Sequence, residues 1–105
     1  MREKIIESAL VRQVRNAGGL CLKFVSPGWD GAPDRIILLP EGRILFVEVK
    51  APGEVPRPLQ VRRHKQLKEM GFPVFVIDEL GKIPSLISSL EGNAVLLKGG
   101  GDVSN

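Results

Sequence analysis

Asp34, in Pro33-Asp34-Arg35, and Glu48 and Lys50, in Glu48-Val49-Lys50, are the residues of this chain best suited to chemistry. Between them lie the apolar run Ile36-Ile37-Leu38-Leu39, the turn signal Pro40-Glu41-Gly42 and a second run, Arg43-Ile44-Leu45-Phe46-Val47. This pattern reads as a β-hairpin. A three-residue loop places Leu39 opposite Arg43, and stepping back along both strands brings Asp34 opposite Glu48. Residues directly opposite in an antiparallel pair have Cβ atoms about 4.5–5.5 Å apart. A loop one residue shorter or longer would send the two acids to opposite faces. Carboxylates that close repel each other unless positive charge lies between them, and a hard divalent cation such as Mg²⁺ supplies it through oxygen ligands. Lys50 follows Glu48 by one strand period, so its ammonium falls on the same face. An acid pair, a cation and a lysine at one point suit phosphodiester hydrolysis. Alone, Glu48 and Lys50 read as strand-end charges and Asp34 as a turn residue; the parity of the hairpin favours the site.

The 105 residues make one domain, with 43% hydrophobic and 26% charged residues, as in ordinary soluble globular proteins. A net charge of +3 suits a polyanionic partner without requiring one. Cys21 is the single cysteine, which excludes an internal disulfide framework or zinc site and fits a reducing, cytoplasmic compartment. The N-terminus is charged and helical in pattern, unlike a secretory signal, and no apolar run reaches the ~18 residues of a membrane span.

The elements that must position the site follow in order. Ile6, Leu10, Val14 and Ala17 give a helical stripe over residues 2–17, closed by Gly18-Gly19. Glu7 sits at the edge of that stripe. It is either a boundary carboxylate with its charge in water or a group aimed along the sheet at Asp34 and Glu48, and periodicity leaves both open. Residues 20–25 read as a strand, with Cys21 a small buried hydrophobe rather than a nucleophile. The turn-rich stretch 26–33 forms one wall of the site; Trp29 fits stacking on a base as well as covering the core edge, and Asp30 reads as a turn cap before a further acid. The hairpin is apolar on both faces, with Ile36, Leu38, Ile44 and Phe46 on the acid side, which calls for helices above and below.

A second helix starts at Pro58 and ends at Gly71, with an inner stripe of Leu59, Leu67 and Met70 flanked by Gln60 and His64. His64 reads as a hydrogen-bonding spectator ahead of a general base. Arg57, Arg62, Arg63, Lys65 and Lys68 make this the most basic part of the chain, suited equally to a solvated face and to phosphate contact. A strand over 72–77 and a short helix over 84–90, with Leu86, Ile87 and Leu90 inward, come next. Ala94 to Leu97 reads as an edge strand or a partner contact. The domain is expected over 1–97, with a Gly-rich flexible tail over 98–105.

The order of a helix with Glu7, then Gly31-Ala32-Pro33-Asp34, then Glu48-Val49-Lys50, then Gln60 on a helix resembles the PD-(D/E)XK nuclease superfamily. Within it the chain is most similar to the VRR-NUC (virus-type replication-repair nuclease) branch, in its small stand-alone phage and bacterial form. The resemblance spans residues 3–90. It implies an α/β, restriction-endonuclease-like core: a central mixed β-sheet flanked by helices in the order α-β-β-β-α-β, followed by the short helix and edge strand. It implies Mg²⁺ or Mn²⁺ as cofactor, held by Asp34, Glu48 and the Val49 carbonyl, with Glu7 on a second metal ion or its water. Lys50 would orient the attacking water and offset charge in the transition state, and Gln60 would contact the site. Arg35, Arg57, Arg62, Arg63, Lys65 and Lys68 are the expected DNA contacts.

The expected function is therefore metal-dependent endonuclease action on branched DNA, in the manner of a Holliday-junction resolvase working as a homodimer. No small-molecule cofactor and no membrane are expected. A flap or splayed-arm nuclease is the enzymatic alternative, and a non-catalytic nucleic-acid-binding module is the alternative of another class.

Overall fold

The computed structural model describes residues 2–89. A first helix, α1 (Glu3–Asn16), leads into three strands, β1 (Leu20–Lys23), β2 (Arg35–Leu39) and β3 (Arg43–Val49). Helix α2 (Pro58–Glu69) then crosses to β4 (Val74–Ile77), and a single 3₁₀ turn (Leu80–Lys82) feeds the short helix α3 (Ile83–Ser88). The strands lie in the spatial order β1-β2-β3-β4. The first two pairings are antiparallel and β3–β4 is parallel. This is the mixed, helix-flanked α/β sheet expected. The proposed edge strand at 94–97, the inward Leu90 and the tail over 98–105 lie outside the described residues. Among the described residues no helix is long and apolar enough to cross a membrane.

The hairpin closes through Pro40–Gly42, a tight 3₁₀-type turn in which Glu41 and Gly42 have φ of 69° and 75°. Leu39 pairs with Arg43 and Arg35 with Val47. The loop is thus odd, and the same register carried one step further sets Asp34 against Glu48. Because side chains alternate along a strand, the hairpin splits into two faces. Ile37, Leu39, Leu45, Val47 and Val49 point to one face, where they are buried beneath Ile6, Leu10 and Val14 of α1 and Ile83 and Leu86 of α3. Burying each such side chain contributes about 1.5–3 kcal/mol, so this continuous apolar layer supplies most of the driving force. Cys21 packs against the same layer, and burial raises its thiol pKa, as suits an inert small hydrophobe.

The other face is different. Phe46, Leu67 and Val74 form a small core there, edged by Phe24, Trp29, Ile36, Ile44 and Phe72. Phe46 lies 5.3 Å from the ring of Phe24 and 6.0 Å, edge-on, from that of Phe72. The expected inner stripe of α2 is corrected here. Leu59 and Met70 are exposed, and the buried positions are Gln60, His64 and Leu67. These fall at i, i+4 and i+7, one helix face, and the first two are polar because of what lies beneath them. Among the described residues cover on this side is also incomplete: Leu20 and Leu22 on β1 are exposed.

With little apolar surface to seat it, α2 is fastened to the loop before β2. Arg63 places its guanidinium 5.0 Å from the Trp29 ring centre and donates through Nε to the Asp30 carbonyl at 2.7 Å. Trp29 therefore covers the core edge, and Asp30 contributes its backbone. Gly31 completes the contact: its φ is +87°, and an added Cβ would meet Leu59 Cγ at 2.9 Å and Leu59 O at 3.1 Å. A non-glycine residue in left-handed geometry costs about 1–3 kcal/mol before any clash. Gly31→Ala is therefore expected to lower unfolding free energy by at least about 1 kcal/mol, read from the urea midpoint. An unchanged midpoint would show that the loop does not need this close approach.

Candidate active site

Asp34 stands one residue before β2, held by backbone on both sides. Its carbonyl accepts the Phe24 N–H at 2.9 Å, and its Oδ2 accepts the Val49 N–H at 2.9 Å. Glu48, on β3, points from the sheet toward α2 and is 1% exposed. Both of its oxygens meet α2. Gln60 Nε2 donates to Oε2 at 3.1 Å, and His64 Nε2 lies 3.3 Å from Oε1. The Gln60 amide is itself oriented, because its Oε1 accepts the backbone N–H of Arg57 at the start of the helix at 2.8 Å. That leaves Nε2 to donate. Lys50 shares the face of Glu48, as the strand period requires, with Nζ 3.9 Å from Oε2.

The electrostatics follow from this crowding. Burial, then hydrogen bonding with Asp34 and the charge of Asp34, push Glu48 up to about 8, with Lys50 pulling the other way. His64 is lowered by burial first and then by the charge of Lys68. A neutral His64 can serve either form of Glu48: Nε2–H donates to the carboxylate, or bare Nε2 accepts the proton of the acid. His64 is the site residue that the chain pattern undervalued. The available signal was its spacing, one turn beyond Gln60, which puts both over the same strand.

The structure brings Asp34, Glu48, Val49, Lys50 and Gln60 together, but Glu7 and Arg35 are elsewhere. Helix α1 packs on the apolar face, and Arg35, alternating with Asp34, points to that face too. Glu7 Oε2 accepts from Arg35 Nη2 at 3.0 Å and from Nε at 3.2 Å. Two expectations are corrected: Glu7 does not join the acid pair, and Arg35 is bound to Glu7 rather than presented to DNA. Arg63, also expected on DNA, is taken up by Trp29 and Asp30. Arg57, just before α2, and Arg62, Lys65 and Lys68 on it are exposed.

No group of three or more His, Cys, Asp or Glu side chains that could hold a metal ion occurs among the described residues. The donors nonetheless suit a hard cation. Mg²⁺ is commonly held by only one or two carboxylates, with waters and substrate phosphate completing its shell. Burial first and Asp34 second raise the Glu48 pKa, and a cation at the pair would offset the part due to Asp34.

No family model matches the chain. Over 78 residues it is 54% identical to "Putative nuclease p44" of Acyrthosiphon pisum secondary endosymbiont phage 1, covering 74% of this chain and 84% of that protein. A solved structure described as a VRR_NUC domain matches with a TM-score of 0.78 and 34% identity, over 84% of this chain and 96% of that one.

A carboxyl whose folded pKa lies near 8 instead of the usual 4.5 stabilises the fold in its protonated form. That contribution is complete below the unfolded value and is lost as pH rises through the folded one. His64, lowered, acts in the opposite sense below its ordinary 6.5, so the clean window for Glu48 lies between pH 6.5 and about 8. In EDTA, the melting temperature is expected to fall across this window. Glu48→Gln, which mimics the protonated acid, should remove most of the fall; parallel curves for the two proteins would refute the buried-acid assignment.

Proposed function

Because the chain belongs to the VRR-NUC nuclease family, we propose that it is a divalent-metal-dependent endonuclease that hydrolyses phosphodiester bonds in branched DNA as a homodimer. The observation that carries this reading is the buried Glu48, set beside Asp34 and Lys50 at the end of the hairpin with both oxygens held from α2. Such a buried acid is costly as a mere structural element, and it is sensible where cationic charge is to be received.

Asp34 and Glu48, with the Val49 carbonyl, are the groups that would hold Mg²⁺ or Mn²⁺. When bound, the ion supplies the positive charge that makes water nucleophilic near neutral pH and offsets charge on the phosphoryl oxygens. The remaining work falls to the chain. Gln60 and His64 hold the Glu48 carboxylate from the α2 side, one oxygen each. Lys50 presents an ammonium on the same face, placed to orient water and to counter the charge that develops on phosphorus oxygens. Arg62, Lys65 and Lys68 on the exposed side of α2 suit the DNA backbone.

Support for a second copy comes from the sheet. Leu20 and Leu22 on β1, an edge strand among the described residues, are 57% and 44% exposed. They stand opposite Leu38 and Ile36 on the face that α2 leaves uncovered. An apolar strip of this kind suits an isologous contact, which would present two sites to the two scissile strands of a four-way junction.

Two tests address the reading. On a panel of labelled four-way junction, flap, splayed arm, duplex and single strand, cutting should require Mg²⁺ or Mn²⁺. Asp34→Asn, which keeps an acceptor for the Val49 N–H, and Lys50→Ala should each lower the rate on the order of 10²–10³-fold. Half-maximal activity in either variant would overturn the assignment, and cutting of flaps or splayed arms alone would move the substrate to those forms. Separately, Leu20→Lys combined with Leu22→Lys should convert a dimer to a folded monomer by light scattering and replace paired junction cuts by single nicks. An unchanged mass would remove the proposed interface.

A further inference from the structure

The chain has fifteen Lys and Arg residues, and the structure divides them sharply. Among the described residues five are engaged: Arg35 by Glu7, Arg43 by the Ile87 and Ser89 carbonyls, Lys50 beside Glu48, Arg63 by Trp29 and Asp30, and Lys82 by Asp78. The exposed cations that remain among the described residues concentrate on two helices, with Lys23 the exception. Helix α2 carries one set, already described. The other set, Arg2, Lys4, Arg12 and Arg15, lies on α1 and at its start, against which Glu3 is the single exposed acid of that helix.

Lys4, Ser8, Arg12 and Arg15 share one side of α1 and line a groove with Arg35 and Glu7 at its base. At 1.5 Å per residue the groove runs about 16 Å from Lys4 to Arg15. That is several steps of a duplex strand, each about 3.4 Å along its axis. Arg35 ties its base to the hairpin of the acid pair, pointing to the α1 face while its neighbour Asp34 points to the other. The groove and the acid pair thus meet the same strand from opposite faces. Packed layers lie about 10 Å apart, so α1 and α2, on opposite faces of the sheet, are about 20 Å apart. A straight duplex laid along α2 does not reach the α1 groove, whereas two arms diverging at the site reach both.

We propose that the α1 groove is a second backbone-binding track, taking one arm of a branched DNA while α2 takes another and the scissile phosphate lies at the acid pair between them. The inference rests on the nuclease reading above and gives it a physical basis for selecting branches: a junction engages both cationic helices, a linear duplex one.

The test is metal-free binding in EDTA, of a labelled four-way junction and a linear duplex of equal length, across about 50–200 mM salt. Each neutralised phosphate contact contributes about 0.9 to the slope of log affinity against log salt. Combining Lys4→Gln, Arg12→Gln and Arg15→Gln should lower the junction slope by about 2–3 and leave the duplex slope unchanged. Arg62→Gln, Lys65→Gln and Lys68→Gln together should lower both. Arg12→Lys with Arg15→Lys, which keeps the charge, should bind the junction like the parent protein. Equal losses on both DNAs in the α1 variant, or none on either, would overturn the proposal while metal-dependent cutting by the parent protein stands. A parent protein that cuts nothing would sink the nuclease reading and leave these slopes to be judged on their own.

Discussion

Burial of the Glu48 carboxylate is the constraint from which the architecture of one whole side of the molecule follows. A carboxyl taken out of water needs hydrogen-bond partners on both oxygens, so the helix laid over it cannot present an apolar stripe. Gln60 and His64 occupy the inner positions of α2 for this reason, and the fixed orientation of Gln60 is inherited from the helix start at Arg57. What remains to seat α2 by apolar burial is Leu67 against Phe46 and Val74. The deficit is met by the Arg63–Trp29 stack, the Arg63–Asp30 hydrogen bond and the close approach at Gly31. These contacts fasten α2 and the pre-β2 loop to each other, and the same loop delivers Asp34.

The opposite face makes this possible. Ile6, Leu10, Ile37, Leu45, Val47, Ile77, Ile83 and Leu86 are all at most 2% exposed and belong to one contiguous cluster. A domain this small has little stability to spare, and concentrating its apolar burial under α1 and α3 lets the other face carry a charge it would not otherwise tolerate. The Glu7–Arg35 pair marks the boundary between these two regimes. It sits at the rim of the apolar layer, partly exposed, where an ion pair avoids the full desolvation penalty.

The hairpin was legible in the sequence because two simple rules act on it: strands alternate with period two, and a three-residue loop has a definite parity. Together they place Asp34 against Glu48, and Lys50 beside Glu48, without any knowledge of the rest of the chain. The direction of Glu7 was not legible. Helical periodicity locates it at the edge of the buried stripe but does not tell which end or side of the sheet that edge overlooks; the pairing with Arg35, 28 residues away, decides it. The inner face of α2 was misjudged for a related reason. Hydropathy assigns polar residues to the outside, and the rule fails where the surface being covered is itself a carboxylate. Arg63 shows the same limit, since a basic run read as a solvated or phosphate-facing stripe includes one member claimed by an aromatic ring and a backbone carbonyl far along the chain.

Asp34 ties fold and chemistry together more tightly than its place in a motif suggests. Its backbone and side chain bridge β1 to β3 across the open end of the hairpin, through Phe24 and Val49. The aspartate is thus positioned by main-chain hydrogen bonds, and its location does not depend on packing that a substrate could displace. Glu48 is positioned by two side chains from a separate helix. The two acids are therefore held by different sets of hydrogen bonds, against their own repulsion, by energy gained on the far side of the sheet. A site arranged beforehand in this way needs little reorganisation when positive charge arrives. The Glu48 pKa is raised by burial first and by Asp34 second, so the fold holds this carboxyl where neither water nor its neighbour favours the charged form.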